Sequence, residues 1–206
     1  MTPDLAELFS LYGSDKNING YASLYTALLW HLKLSPVSLL EVGIGTMIEG
    51  APSSMKGYTD FYTDSYTPGA SLRAWRDFFP FGDIHGVDIQ TDCMFKEERI
   101  TTHLCNSADH YAVGCWLQTI PNLFFDLVID DGSHYEQHQL ATLTNLWPRV
   151  KQGGFYVIED IAIGSRLSLE PHLVHQIVGD AGIFFAGLKN NLCVIHKVPL
   201  RCIRNF

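Results

Sequence analysis

The sequence is poor in charge: Asp, Glu, Lys and Arg make up only 17% of its 206 residues, against the quarter usual in soluble domains. With 47% hydrophobic residues, such a chain is neither disordered nor a long coiled coil. It also lacks a basic excess. Lys and Arg number 14 against 22 Asp and Glu, a net charge of −8, which argues against nucleic acid and anionic membranes as partners. No run approaches the roughly 18 apolar residues needed to span a bilayer. The segment 1–7 has no basic stretch ahead of an apolar one, so a soluble protein without a signal peptide is expected. Cys93, Cys105, Cys115, Cys193 and Cys202 are scattered, odd in number and form no C-x-x-C. That excludes a disulfide framework or zinc knuckle and predicts reduced, buried thiols in a cytoplasmic protein.

What is present fits one domain over 1–206, with no internal repeat or linker. Thr2 as cap and Pro3 in the first turn open a helix to Leu11, with Leu5, Leu8 and Phe9 on one face. Gly13-Ser14-Asp15-Lys16 breaks it, and a second helix runs from Tyr21 to Leu34. Strands are predicted at 38–42, 84–88, 100–104, 125–129 and 155–158, with helices at 70–79 and 134–147 between them. Two more, 182–186 and 192–196, form a hairpin around the turn Lys189-Asn190-Asn191. Apolar strands alternating with helices predict an α/β fold, a doubly wound, mostly parallel, Rossmann-like sheet of seven strands ending in an antiparallel hairpin. The segment 47–68, rich in Tyr, Ser, Thr, Gly and Asp, has no period and follows the first strand, where such sheets bind ligands; it reads as a loop over the site.

Three constellations carry chemistry. Leu39-Leu40-Glu41-Val42-Gly43-Ile44-Gly45 runs an apolar strand into Gly-x-Gly, which lets backbone pass close to a ligand, although Ile48 stands where a dinucleotide fingerprint has its third glycine. Setting aside 47–68, Asp88 follows at about the 20-residue spacing of a ribose-binding acid. An ordinary glycine turn is the plainer alternative. Asp130-Asp131-Gly132-Ser133-His134 and Glu159-Asp160 end the two following strands, so their acids converge at one sheet edge. Converging carboxylates repel unless a cation neutralises them, and an oxygen set suits Mg²⁺ or a similar hard divalent ion. The alternative is that they cap helices or pair with Lys and Arg, but few cations lie near them in sequence. Ser133 and Glu136 read as a capping box placing His134 in the first turn of a helix, where the dipole keeps the ring neutral and able to act as base beside Asp131. His138 falls one turn on, a spacing compatible with zinc but lacking a thiolate or the His-Glu-x-x-His pattern. Tyr58, Tyr62 and Tyr66 either wall a ligand or pin the loop. Ser71, near Gly69 at the start of a crossover helix that buries Leu72 and Trp75, could help cradle a carboxylate. The segment 106–109 either touches an adenine through Asn106 or caps the next helix, and His103 and His110 read as surface residues.

Taken together, these residues resemble the class I S-adenosylmethionine-dependent methyltransferases, in the metal-dependent branch of the macrolide-sugar O-methyltransferases and their relatives in polysaccharide biosynthesis. The resemblance spans about 12–198 and rests on Tyr12-Gly13-Ser14-Asp15-Lys16, the strand entering Gly43-Ile44-Gly45-Thr46, Pro68-Gly69-Ala70-Ser71, Gly86-Val87-Asp88-Ile89, Asp131-Gly132-Ser133-His134 and Gly153-Gly154-Phe155-Tyr156-Val157-Ile158-Glu159-Asp160. It implies a cofactor pocket of Glu41, Gly43, Gly45, Ser71, Asp88, Asn106 and Asp130. It implies Asp131, Glu159 and Asp160 as Mg²⁺ ligands and His134, with Asp131, as the catalytic pair. The implied reaction methylates a hydroxyl of a sugar or sugar-containing small molecule, with S-adenosylmethionine as donor. Residues 1–35 would form a helical lid. The chain departs from the macrolide enzymes in lacking their additional N-terminal domain, so acceptor selection is expected from 47–68, the N-terminal helices or a second subunit. A cephalosporin-hydroxylase-like enzyme of the same fold and a non-catalytic nucleoside- or sugar-binding module are the competing readings.

Overall fold

The structure, a computed structural model, describes residues 3–51, 54–57, 66–162, 164, 172–179, 181–186 and 191–198. The helices are α1 (Leu5–Tyr12), α2 (Tyr21–Leu29), α3 (Ala70–Phe78), α4 (His110–Thr119), α5 (Glu136–Leu146) and α6 (His172–Val178). The strands are β1 (Ser38–Val42), β2 (Asp83–Asp88), β3 (Lys96–Glu97), β4 (Ile100–Leu104), β5 (Phe125–Asp130), β6 (Val150–Ile158), β7 (Gly182–Ala186) and β8 (Leu192–His196). They form one eight-stranded sheet in the order β3-β4-β2-β1-β5-β6-β8-β7. β4, β2, β1, β5 and β6 are parallel, and β8 runs antiparallel between β6 and β7. The eighth strand, absent from the sequence reading, is the two-residue β3, which pairs antiparallel with β4 and has no apolar signature.

Alternation along the strands divides the core. Leu39, Ile84, Leu127, Ile129 and Val157 face α1, α2 and α3. Leu40, Val87, Val128, Tyr156 and Ile158 face α4, α5 and α6. Both faces are covered, as near-continuous apolar strands require. Trp75, fully buried as expected, packs edge-on against Phe9 and Tyr25 at centroid distances of 5.0 and 5.1 Å. The N-terminal helices are therefore fastened to the sheet through α3.

Several boundaries differ from expectation. α1 is capped by Asp4, in a reciprocal box with Glu7, so Pro3 precedes the helix and Thr2 lies outside the described residues. α2 ends at Leu29 and tightens into a 3₁₀ turn, Trp30–Leu32, as helix ends commonly do. α5 begins at Glu136, with Tyr135 at the cap position and no side-chain cap, so His134 precedes the helix. Cys93, Cys105 and Cys193 are free and buried, but Cys115 is exposed; Cys202 lies outside the described residues, as do Pro52, Tyr58, Tyr62, Lys189 and Asn190.

The strand register positions the site. Val42 is level with Val87 on one side and Asp130 on the other, and Asp130 is level with Ile158. The residues that follow, Gly43, Asp88, Asp131 and Glu159, therefore emerge along one edge of the sheet.

Candidate active site

That edge opens on a cavity of about 830 Å³, lined by Gly43, Gly45, Ser71, Asp88, Asn106 and Asp130 among others. Glu41 and Glu159 lie behind its wall, and Asp131, His134 and Asp160 face into it. The glycines are required by close approach. A Cβ on Gly43, at φ +87°, would stand 2.0 Å from the Asp131 carbonyl oxygen, and one on Gly45, at φ +85°, would stand 2.0 Å from the Tyr66 hydroxyl. Asp88 accepts hydrogen bonds from the backbone N–H groups of Ile44 and Gln90, at 2.8 and 2.9 Å, which ties the glycine loop to β2. Tyr66 donates to the Ile44 carbonyl at 3.3 Å, so it both pins the loop and lines the cavity. Asp92, with no part in the sequence reading, holds the loop from below by accepting from Thr46 Oγ1 and Met47 N–H. Asp109 caps α4, so that reading holds, while Asn106 stands at the cavity wall.

One ligand atom each from Asp131, His134 and Asp160 lies within 4.8 Å of the others. His134 Nε2 is 3.1 Å from Asp131 Oδ1 and 3.8 Å from Asp160 Oδ2. His134 (φ 59°) and Asp160 (φ 51°) both hold the left-handed backbone conformation, which costs a non-glycine residue roughly 1–3 kcal/mol. Strain at two neighbouring polar residues, unrelieved by any glycine, marks the point where chain geometry serves side-chain placement. Burial disfavours the His134 imidazolium, but the Asp131 hydrogen bond and the charges of Asp131 and Asp160 outweigh it and raise its pKa. This corrects the expectation of a dipole-neutralised ring, since the residue lies outside the helix and its carboxylate neighbours dominate. His138 bonds with Ser133 and packs against Tyr135 rather than sharing a helix face with His134, which removes the basis for a zinc pair. Burial pushes the Asp130 carboxyl up to about 7.

A residue missed as a site member stands behind this triad. Lys16, fully buried, places its ammonium 2.6 Å from Asp131 Oδ2, 2.7 Å from Glu159 Oε2 and 3.1 Å from Glu41 Oε1. Burial works against its charge, yet the three carboxylates hold its pKa well above that of an ordinary lysine. Tyr25 bonds to the other Glu159 oxygen, and Tyr21 and Asn191 bond to Asp160. Glu41 also accepts from Trp75 Nε1 at 2.9 Å. A cation distant in sequence therefore meets these acids: Lys16 lies 115 residues before Asp131 and 143 before Glu159, and it pairs with both and with Glu41. The signal was the Gly-Ser-Asp-Lys turn between two apolar helices, a lysine where only a break was needed. His103 is likewise half-buried, stacked on His85 and packed near Trp116, whereas His110 is exposed as expected.

No protein-family model matches the chain. Curated relatives include demethylmacrocin O-methyltransferase of Streptomyces fradiae, 35% identical over 162 residues that make up 77% of this chain and 36% of that protein. They also include 8-demethyl-8-(2-methoxy-alpha-L-rhamnosyl)-tetracenomycin-C 3'-O-methyltransferase of Streptomyces olivaceus, 36% identical over 77% of this chain and 37% of that protein. Among solved structures, the mycinamycin-pathway methyltransferase MycE, in complex with Mg, S-adenosylhomocysteine and mycinamycin VI, matches with a TM-score of 0.74 and 27% identity over 96% of this chain and 55% of that one. The fold is that of the class I methyltransferases, and over 77% of its length the chain is similar to these O-methyltransferases. The matched segment spans little more than a third of each curated relative's length. Among its described residues no helix is long and apolar enough to cross a membrane.

Proposed function

We propose that this chain transfers a methyl group from S-adenosylmethionine to a hydroxyl of a sugar or sugar-bearing small molecule, with Mg²⁺ or a similar hard divalent ion at Asp131 and Asp160. The observation that carries this reading is the convergence of Asp131, His134 and Asp160 on the cavity that holds Gly43, Gly45 and Asp88. The relatives, both named O-methyltransferases and one of them for a rhamnosyl-tetracenomycin, and the Mg and S-adenosylhomocysteine recorded with MycE support it.

The residues present fit both groups. Gly43 and Gly45 bring backbone to the cavity wall where the aminoacyl part of the donor would lie, and Ser71 at the start of α3 lines the same cavity for its carboxylate. Asp88 is placed at the β2 end for ribose hydroxyls, with Asn106 and Asp130 on the adjoining walls. The donor brings a methyl already activated as a sulfonium, so alignment of the acceptor oxygen is the larger task. A divalent ion at the carboxylates supplies Lewis acidity that lowers the pKa of a bound hydroxyl. Asp131 and Asp160 would hold the ion, and His134 Nε2 beside them would take the acceptor's proton. Glu159 is the third carboxylate of the proposed metal set, reaching it only by releasing Lys16. Acceptor selection falls to the N-terminal helices, the segment 47–68 or a second subunit. One imidazole beside two carboxylates is the inverse of the two-His, one-carboxylate iron triad, which weighs against a hydroxylase.

The test is transfer of label from S-adenosylmethionine to glycosylated acceptors, with and without EDTA. Metal-dependent labelling is expected; undiminished labelling in EDTA contradicts the metal role.

A further inference from the structure

Four carboxylates, those of Glu41, Asp131, Glu159 and Asp160, gather at the ends of β1, β5 and β6, and Lys16 bonds three of them. Its nitrogen hydrogen-bonds Asp131 and Glu159 and pairs with Glu41 at 3.1 Å, with side-chain exposure of 2%. Glu159 is equally enclosed, one oxygen on Lys16 and the other on Tyr25. Asp131 is divided, Oδ2 toward Lys16 and Oδ1 toward His134 at the cavity. Lysine is rarely buried unless paired, and this one is carried on the turn between α1 and α2. The ammonium thus lies directly behind the cation-binding face.

We propose that Lys16 is a positioning residue, the resident counter-ion that holds the acidic cluster assembled before a divalent cation arrives and that limits how tightly the cation binds. The proposal rests on the divalent-cation reading of the site. Since one positive charge offsets three of the four acids, the ammonium and an incoming cation compete for the same negative charge. Removing the ammonium leaves that charge to the metal alone. The metal-free protein then loses stability while metal affinity rises, both from one cause. A merely structural lysine would lower stability equally with and without metal.

The experiment compares wild type, Lys16→Met and the double variant Lys16→Met/Glu41→Gln. The double variant restores the cluster's net charge without touching a proposed metal ligand. Mn²⁺ binding is followed by paramagnetic resonance and thermal unfolding is measured in EDTA and in excess Mg²⁺. Lys16→Met is expected to unfold at least about 5 °C lower in EDTA, to regain most of that loss in Mg²⁺, and to bind Mn²⁺ at least about tenfold more tightly. The double variant is expected to return both values toward wild type, and it carries the test should Lys16→Met fail to fold. An equal loss of stability in both conditions, Mn²⁺ affinity unchanged or weaker in Lys16→Met, or a double variant that recovers neither wild-type stability in EDTA nor wild-type Mn²⁺ affinity, overturns the counter-ion role. A wild-type protein that binds no Mn²⁺ overturns the metal reading itself, and with it this inference.

Discussion

In the proposed reaction, proton transfer turns on His134. Its Nε2 faces Asp131 and Asp160 from a strained backbone, so truncation removes the base without removing a wall of the nucleoside pocket. His134→Ala should lower turnover by about 10²–10⁴-fold while S-adenosylhomocysteine affinity, measured by calorimetry, stays within a few-fold. Gly43→Ala should act the other way. Its methyl would meet the Asp131 carbonyl, so donor binding should fail, with stability reduced as well. A third residue-scale prediction lies outside the site. Burial and His85 push the His103 pKa down to about 4, against 6.5 for a free imidazole. The unfolded chain therefore binds the extra proton first, and His103 costs stability progressively as pH falls from 6.5 towards 4. His103→Gln should flatten the melting temperature over that window; an unchanged profile contradicts it. At this scale the sequence was most readable where a residue's chemistry is local. Gly43, Gly45, Asp88, Asp131, His134 and Asp160 all reach the cavity they were expected to line. Lys16 was not legible as a partner of these acids because nothing within a strand or helix period joins residue 16 to residues 41, 131 and 159.

Among the elements, the fastening of α1 and α2 to the sheet runs through α3. Trp75 fills the space between Phe9, Tyr25 and Phe79 and donates to Glu41, which in turn pairs with Lys16. Trp75→Ala removes a fully buried indole and one Glu41 partner together, and should destabilise the fold by about 3–5 kcal/mol in denaturant titration. The same change should weaken metal-site integrity, since Glu41 loses the group that fixes it. Strands β1, β4, β7 and β8 could be read to the residue because apolar runs between turn signals fix their ends. The start of α5 could not: Ser133 and Glu136 have capping spacing, but Ser133 bonds His138 and His134 turns left-handed before the helix begins. A local propensity signal lost there to the geometry of the site.

For the whole molecule, the acidic balance is organised rather than diffuse. Four carboxylates meet at one sheet edge, one buried lysine partly offsets them, and the remaining negative charge faces a cavity large enough for a nucleoside-bearing donor with part of an acceptor. Chelation should therefore act on activity more than on fold in the wild type, because Lys16 keeps the cluster together. EDTA is expected to abolish methyl transfer while leaving the far-ultraviolet circular dichroism unchanged. The central claim is that the Gly43–Asp88 side of the cavity is a donor pocket of the methyltransferase kind. Calorimetric titration with S-adenosylhomocysteine, with NAD as the control, tests it most directly. The account predicts one saturable site for S-adenosylhomocysteine, lost in Gly43→Ala and retained in His134→Ala, and no heat from NAD; absence of S-adenosylhomocysteine binding to the wild-type protein in Mg²⁺ would contradict it.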